Sequence, residues 1–236
     1  MIIHVGQNNL SLYSVSSLTG KEFNPSENKL NIEIKKILTD TNRYYTEKIK
    51  THGPTSLGVD WKTQDSQEIR FDQLLKICDS TTRFSLCDYG CRYGHLLPYM
   101  KNKKFSFRYL GIDISPEMIQ VARQIQNKSA HFQIGSKPSR NVDYGIASGI
   151  FNVKQDATNK VWKNYFLKTL ETINRFSTKG FSFNCLTKYS DKDRMKKNLY
   201  YGDPLFFFDY CKKMFSKNVA LLHDYELYEF TILVRK

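Results

Sequence analysis

The chain has 236 residues, of which 40% are hydrophobic and 14% aromatic, and its formal net charge is +13. This composition excludes a disordered protein, and no apolar run reaches the roughly 20 residues of a membrane-spanning helix. The N-terminus lacks the pattern of a secretory signal, so we expect a cytoplasmic protein whose five cysteines are reduced. The basic charge leaves binding to nucleic acid open.

The first 56 residues predict an accessory segment. Residues 1–29 are polar and rich in turn-forming residues, whereas residues 30–50 mix apolar and charged residues as a helix does. Gly53, Pro54 and Gly58 then interrupt the helical pattern. We therefore predict an N-terminal segment with one helix over residues 1–56 and a domain over residues 57–236.

After this boundary, helix-like and strand-like segments alternate. Helices are predicted over residues 65–79, 116–126, 160–177 and 203–216. Strands are predicted within residues 83–90, 108–115, 130–135, 142–151 and 181–187, and two more strands close the chain within residues 219–236. Asp65 and Ser115 are predicted N-caps, Pro116 takes a first helical position, and Gly180 is expected to end the third of these helices.

This alternation predicts an α/β fold, because parallel strands need helical crossovers. We expect a Rossmann-like three-layer sandwich with a mostly parallel, seven-stranded sheet. The closing pair has no helix between its strands and should form an antiparallel hairpin. Sheets of this kind bind ligands at the carboxyl ends of their strands, beside the switch in strand order.

The segment LCDYGCRYGHL, residues 86–96, is the first candidate for a ligand-binding loop. Asp88 stands near the end of a predicted strand, and Gly90 and Gly94 follow in a turn that leads into a helix. Glycines there let the backbone approach a ligand, and the helix N-terminus offers unpaired N–H groups. No second pair of cysteines or histidines lies near Cys87 and Cys91, so we expect no metal site.

Asp113 strengthens this interpretation. It ends the next predicted strand, about 20 residues after the glycine turn, where an acid can accept hydrogen bonds from both hydroxyls of a ribose. Two such loops at this separation indicate a site for a cofactor that contains a nucleoside.

The segments LLKICDSTTRFSLCDYGCRYGHLLPYM and YLGIDISPEMIQVARQ resemble the class I S-adenosylmethionine-dependent methyltransferases. The first motif of that family is an acid followed by alternating glycines, and the second is a strand that ends in an acid before a helix. The resemblance runs from about residue 57 to the C-terminus. Within this range the sequence is similar to an uncharacterised bacterial branch of the family. It implies S-adenosylmethionine as cofactor.

The resemblance also implies roles for individual residues. Asp88, Gly90 and Gly94 would shape the loop around the methionine part of the cofactor, and Asp113 would hold the ribose. Ile114 would lie against adenine, and Ser136 stands in a loop where the family often has an acid. Ser148 would lie near the transferred methyl group, and Arg70 would bind the cofactor carboxylate.

Arg92 departs from the family pattern, which has a glycine at this position. Its side chain can point away from the cofactor if its φ is negative. Alternatively, it can reach the cofactor carboxylate, or it can block the pocket.

The acceptor is open on sequence alone. Residues 147–152 contain neither an Asn/Asp-Pro-Pro-aromatic run nor Pro-Cys, which disfavours base amines and pyrimidine C5 as acceptors. We expect a small-molecule or metabolite acceptor held by Trp61, Asn152, Tyr200 and Tyr201, a pocket shaped by the N-terminal segment, and no universal catalytic residue. The alternatives are an RNA-modifying methyltransferase, which the charge favours, and a non-catalytic binding protein on the same fold.

Overall fold

A seven-stranded sheet with the order β3-β2-β1-β4-β5-β7-β6 organises the chain. The computed structural model describes residues 25–53, 64–125 and 128–236. The strands are β1 (Phe84–Tyr89), β2 (Phe107–Asp113), β3 (Ala130–Ile134), β4 (Val142–Ala147), β5 (Ser177–Leu186), β6 (Asn218–Leu222) and β7 (Glu229–Arg235). The helices are α1 (Pro25–His52), α2 (Gln64–Leu75), α3 (Leu96–Asn102), α4 (Pro116–Ala122), α5 (Asn159–Phe176) and α6 (Pro204–Met214).

Strand directions confirm the predicted fold class. β1 pairs in parallel with β2 and β4, β2 with β3, and β4 with β5. β7 runs antiparallel between β5 and β6. Tyr89 is in register with Ile112 on one side and with Ala147 on the other, so the loops after β1, β2 and β4 leave the sheet at one edge.

Helices on both faces complete the three layers. Trp162, Phe166 and Leu170 of α5 are fully buried in an apolar cluster on one face of the sheet, as the helical pattern predicts. Leu74 of α2 and Leu97 of α3 belong to the cluster on the other face. The sheet therefore lies between two apolar layers, and its carboxyl edge is held in place from both sides.

Two predicted helix boundaries are wrong and one is confirmed. Ser115 caps α4, because its hydroxyl accepts a hydrogen bond from Met118 N at 3.3 Å. Asp65 lies inside the first turn of α2 and does not precede it. Gly180 does not end α5 but lies within β5, where an added Cβ would overlap the carbonyl oxygen of Val234 on β7. The glycine thus allows two strands to approach closely.

Helix α1 bridges the two faces of the sheet. It packs against α4 and against α5, which lie on opposite faces. Residues 135–141, the described connection between β3 and β4, contain no helix. Ile37 of α1 joins the apolar cluster on the α5 face. The helix therefore passes over the carboxyl edge of the sheet near β1 and β2.

The predicted boundary between residues 56 and 57 lies outside the described residues, so the division into a segment and a domain stays a prediction. In the described part of the chain, no helix combines the length and the apolarity that crossing a membrane requires.

Candidate functional site

A cavity of about 310 Å³ lies at the carboxyl edge, beneath α1. The loops after β1, β2 and β3 form its floor and contribute four of the predicted cofactor-binding residues: Gly90, Asp113, Ile114 and Ser136. Its other walls come from α1 and α5. The cavity thus gathers residues from loops that are far apart in the sequence.

Asp113 is buried at one wall of this cavity. Its Oδ2 accepts a hydrogen bond from Arg92 N at 2.9 Å, and its Oδ1 accepts one from Ser115 N at 2.9 Å. Burial raises the pKa of the Asp113 carboxyl, although these backbone donors oppose the rise. Each carboxylate oxygen has further lone pairs, so Asp113 can still accept hydrogen bonds from a ligand.

The two glycines of the opening loop have different roles. Gly90 has φ +68°, and an added Cβ would overlap the side chain of Ile150 across the cavity. Gly94 has φ +84° but does not line the cavity, and a Cβ there would lie 3.0 Å from Ile125. Gly90 therefore lets Ile150 pack directly against the loop at the cavity, whereas Gly94 permits the turn to pack on Ile125 and Phe132.

Arg92 does not have the negative φ that would let its side chain point away from the cofactor. Its φ is +54°, in the left-handed region that side chains rarely adopt. The guanidinium turns towards α1, where Nη2 donates a hydrogen bond to the Tyr45 hydroxyl at 3.2 Å and Cζ lies 4.9 Å from the ring centroid. Arg92 is thus part of the cavity wall and does not fill the cavity.

A smaller polar pocket adjoins the cavity and shares Gly90 and Arg92 with it. Asp88 and Ser148 contribute to its lining, at the ends of β1 and β4. The other polar side chains in its lining are Gln67, Tyr93 and His95. The Tyr93 hydroxyl donates to Gln67 Oε1 at 3.4 Å. The two spaces meet at the glycine loop, but the polar pocket has a volume of only about 10 Å³, so a ligand can extend into it only when its lining side chains move.

Two side chains in the polar pocket, those of Asp88 and Ser148, are in unusual environments. Asp88 accepts a hydrogen bond from the Tyr109 hydroxyl at 2.6 Å, and burial raises the pKa of its carboxyl to about 7. The Ser148 hydroxyl is buried and has no hydrogen-bond partner among the described residues. A buried polar atom without a partner is costly, which indicates that a ligand or water satisfies it.

Arg70 has another partner than the predicted cofactor carboxylate. Its Nε and Nη2 donate to the two carboxylate oxygens of Glu229 at 2.9 Å and 2.7 Å. Asn184 Nδ2 also donates to Glu229, at 2.6 Å, and Asn152 Nδ2 lies 3.4 Å from it. We call Arg70, Asn152, Asn184 and Glu229 the Glu229 cluster. It joins α2, the loop after β4, β5 and β7, and it corrects the role predicted for Arg70.

Of the predicted acceptor residues, the three that the structure describes, Asn152, Tyr200 and Tyr201, line neither space. Asn152 belongs to the Glu229 cluster, and its Oδ1 accepts a hydrogen bond from Leu186 N at 3.0 Å. The Tyr200 ring packs on Phe166 in the core, and the Tyr201 hydroxyl accepts one from Lys196 N at 2.9 Å. These contacts give the three side chains structural roles. Trp61 lies outside the described residues.

The loops after β4 and β5 are held together by their backbones. Tyr200 N donates to Asn152 O at 2.8 Å, Lys154 N donates to Asn198 O at 3.0 Å, and Val153 forms a β-bridge with Leu199. This pairing fixes the two loops against each other.

Sequence reasoning missed the residues of α1 and α5 that line the cavity. On α1, Ile34, Leu38 and Tyr45 recur at helical spacing on one face, which is a pattern that could have indicated them. Tyr165 of α5 also lines the cavity, and burial raises the pKa of its hydroxyl to about 12.

Comparison with known proteins agrees with this geometry. A family model described as a methyltransferase domain matches residues 44–204. A protein of Mycobacterium tuberculosis (strain ATCC 25618 / H37Rv), Rv1506c, whose name assigns it provisionally as a methyltransferase, is 48% identical over 164 residues. The match covers 69% of this chain and 99% of that protein.

Solved structures share the fold. Human N-acetylserotonin methyltransferase, crystallised with S-adenosylmethionine, has a TM-score of 0.60 at 15% identity, over 89% of this chain and 66% of that chain. The plantazolicin methyltransferase BpumL, crystallised with a triazolic analog and S-adenosylhomocysteine, has a TM-score of 0.56 at 13% identity, over 89% of this chain and 98% of that chain. The chain belongs to the methyltransferase domain family.

Proposed function

We propose that this enzyme methylates a small molecule or metabolite and that S-adenosylmethionine spans both spaces at the glycine loop. The adenosine half would occupy the main cavity, and the methionine half would extend into the polar pocket as its lining side chains move apart. Gly90 supports this placement, because it lines both spaces and its φ of +68° lets the backbone turn between them.

The main cavity offers suitable contacts for an adenosine. Asp113 would accept hydrogen bonds from the ribose hydroxyls, since its carboxylate lies at the wall. Ile114 would lie against the adenine ring, and Ser136 stands where the family often has an acid. A serine hydroxyl can both donate and accept, so it can replace that polar contact.

The polar pocket suits a charged amino-acid group. Ser148 and His95 each have a buried polar atom without a hydrogen-bond partner among the described residues. Gln67 and Tyr93 add donors and acceptors, and Asp88 would face the ammonium group. We propose that these five side chains hold the methionine part and replace Arg70 in that role.

Alignment is the main chemical contribution of these residues. The sulfonium of S-adenosylmethionine supplies an activated methyl group, which an acceptor takes by in-line displacement. The walls of the two spaces would orient the methyl group of the cofactor towards the acceptor and exclude water, which lowers the entropic part of the barrier. We name no general base, since none is required when the acceptor has no proton to lose.

The site is covered on two sides, and this is the observation that favours a small acceptor. Helix α1 covers the cavity, and the loops after β4 and β5 are joined by backbone hydrogen bonds near Ser148. A folded RNA would have to displace one of these elements. The net charge of +13 and the cavity lysines Lys137 and Lys168 keep RNA as the second candidate.

Transfer of a labelled methyl group tests this proposal. The enzyme is incubated with methyl-labelled S-adenosylmethionine and, separately, with the small-molecule, RNA and protein fractions of a cell extract. We expect label in the small-molecule fraction and none with Asp113→Ala. Label that stays with RNA would contradict the proposal and favour the second candidate.

A further inference from the structure

Helix α1 contacts both residues that donate to Asp113. The carboxylate of Asp113 is held between the N–H groups of Arg92 and Ser115. Tyr45 of α1 contacts the side chain of Arg92, and Thr46 contacts that of Ser115. The acid that we assign to the ribose is therefore flanked on both sides by residues that α1 touches.

The contact between Tyr45 and Arg92 combines two interactions. The guanidinium donates to the tyrosine hydroxyl at 3.2 Å and also lies 4.9 Å from the ring centroid. Arg92 is only 8% exposed. A cation beside an aromatic ring is attracted more strongly when water is excluded, so this contact is a strong one for a surface helix.

Further contacts fix the same turn of α1. Thr46 Oγ1 lies 3.3 Å from Ser115 Oγ and donates to Glu117 Oε2 at 3.1 Å. One turn later, Ile49 packs on Met118 of α4. These contacts orient the helix so that its preceding turns cover the cavity.

The covering residues precede the family match. Ile34, Leu38, Thr41 and Asn42 line the cavity, whereas the family model begins at residue 44. This cover is therefore a feature of this chain outside the matched domain. An arginine at φ +54°, where the family pattern has a glycine, is costly unless its side chain makes a compensating contact.

We propose that Tyr45 and Arg92 are positioning residues that retain the bound cofactor. Their contact holds α1 over the adenosine and keeps the Arg92 N–H group on Asp113, so the cofactor leaves when the contact opens. This inference rests on the cofactor placement proposed above. It explains why the glycine loop carries an arginine whose guanidinium points at a helix.

The dissociation rate of S-adenosylhomocysteine tests the role of this contact. We expect Tyr45→Ala to increase the rate about tenfold, and Tyr45→Phe to have a smaller effect because the ring remains beside the guanidinium. Arg92→Gly should increase the rate similarly, since glycine adopts φ +54° and preserves the loop. The effects of the two substitutions should be clearly less than additive in the double variant, because both remove the shared contact.

Lys36→Ala is the matched control, since the Lys36 side chain lies on the same helix and is 72% exposed. It should leave the rate unchanged. Melting of the ligand-free variants shows that each is folded, and Tyr45→Phe remains informative if Tyr45→Ala is not. An unchanged rate in the Tyr45 variants, or fully additive effects in the double variant, would overturn the role of the contact. A wild-type protein that binds no S-adenosylhomocysteine would instead overturn the cofactor placement.

Discussion

Buried carboxylates lie in two regions near the carboxyl edge of the sheet, and their surroundings differ. Glu229 faces the guanidinium of Arg70 and the amide of Asn184. Asp88 accepts a hydrogen bond from a tyrosine hydroxyl, and Asp113 accepts hydrogen bonds from two backbone N–H groups. Neither aspartate forms a salt bridge with a described residue. Burial raises the pKa of both aspartates.

We interpret the charge of Glu229 as structural and the charges of Asp88 and Asp113 as available to a ligand. The Glu229 cluster satisfies its carboxylate within the protein and joins four elements, so it holds the fold. The two aspartates border the cavity and the polar pocket, where their charge is stabilised less fully. A positively charged cofactor can provide the favourable charge interaction that the protein does not give these two aspartates.

The largest effect on stability should come from the Glu229 cluster. Glu229→Ala would leave the Arg70 guanidinium buried without its carboxylate, which costs about 3–5 kcal/mol. The loss is measured as a shift of the denaturant midpoint with an unchanged m-value. Asp209→Ala, which breaks the exposed pair with Lys213, is the control and should cost far less. A loss below about 1 kcal/mol in Glu229→Ala would contradict the structural role of the cluster.

A pH-dependent effect is expected at Asp88. Its pKa is raised to about 7 by burial, so between its unfolded pKa and about pH 7 the folded state binds more protons than the unfolded state. The stability of the wild type should therefore fall relative to Asp88→Asn as the pH rises through this window, by at most about 1.4 kcal/mol per pH unit. Thermal unfolding from pH 4 to pH 8 measures this difference.

Asp143 provides the opposite control for Asp88. Burial raises the pKa of its carboxyl, but hydrogen bonds from Ser85 and Lys179 outweigh burial and hold the pKa below its usual value. Its contribution to stability is present above the unfolded pKa and is lost as the pH falls. Because this loss lies below about pH 4, the unfolding of Asp143→Asn is followed down to about pH 2, where the stability of the wild type should fall relative to the variant as the pH falls. A change of the opposite sign would contradict this account.

The sequence predicts the parts of the molecule that depend on local patterns. Alternating strands and helices define the sheet, and an acid at the end of β2 places Asp113 at the cavity. The partner of Arg70 could not be predicted, because Glu229 lies 159 residues later and periodicity carries no information about such pairs.

Backbone conformation explains the other failures. The sequence left three directions open for the Arg92 side chain, and only the turn, which imposes a φ of +54°, directs it to Tyr45. Tyr200 and Asn152 were predicted to bind an acceptor because they follow strands, yet the two loops pair with each other and bury both residues. Loop pairing depends on the assembled fold and has no local pattern.

Calorimetric titration with S-adenosylmethionine and S-adenosylhomocysteine tests the central claim most directly, with the wild type and Asp113→Ala compared. Hydrogen bonds to a charged group contribute about 1.5–3 kcal/mol each, so the loss of the carboxylate should weaken binding about 100-fold or more. We expect micromolar binding to the wild type and none detectable to the folded variant. Equal affinity in both proteins would contradict the placement of the ribose at Asp113 and, with it, the account of the cavity.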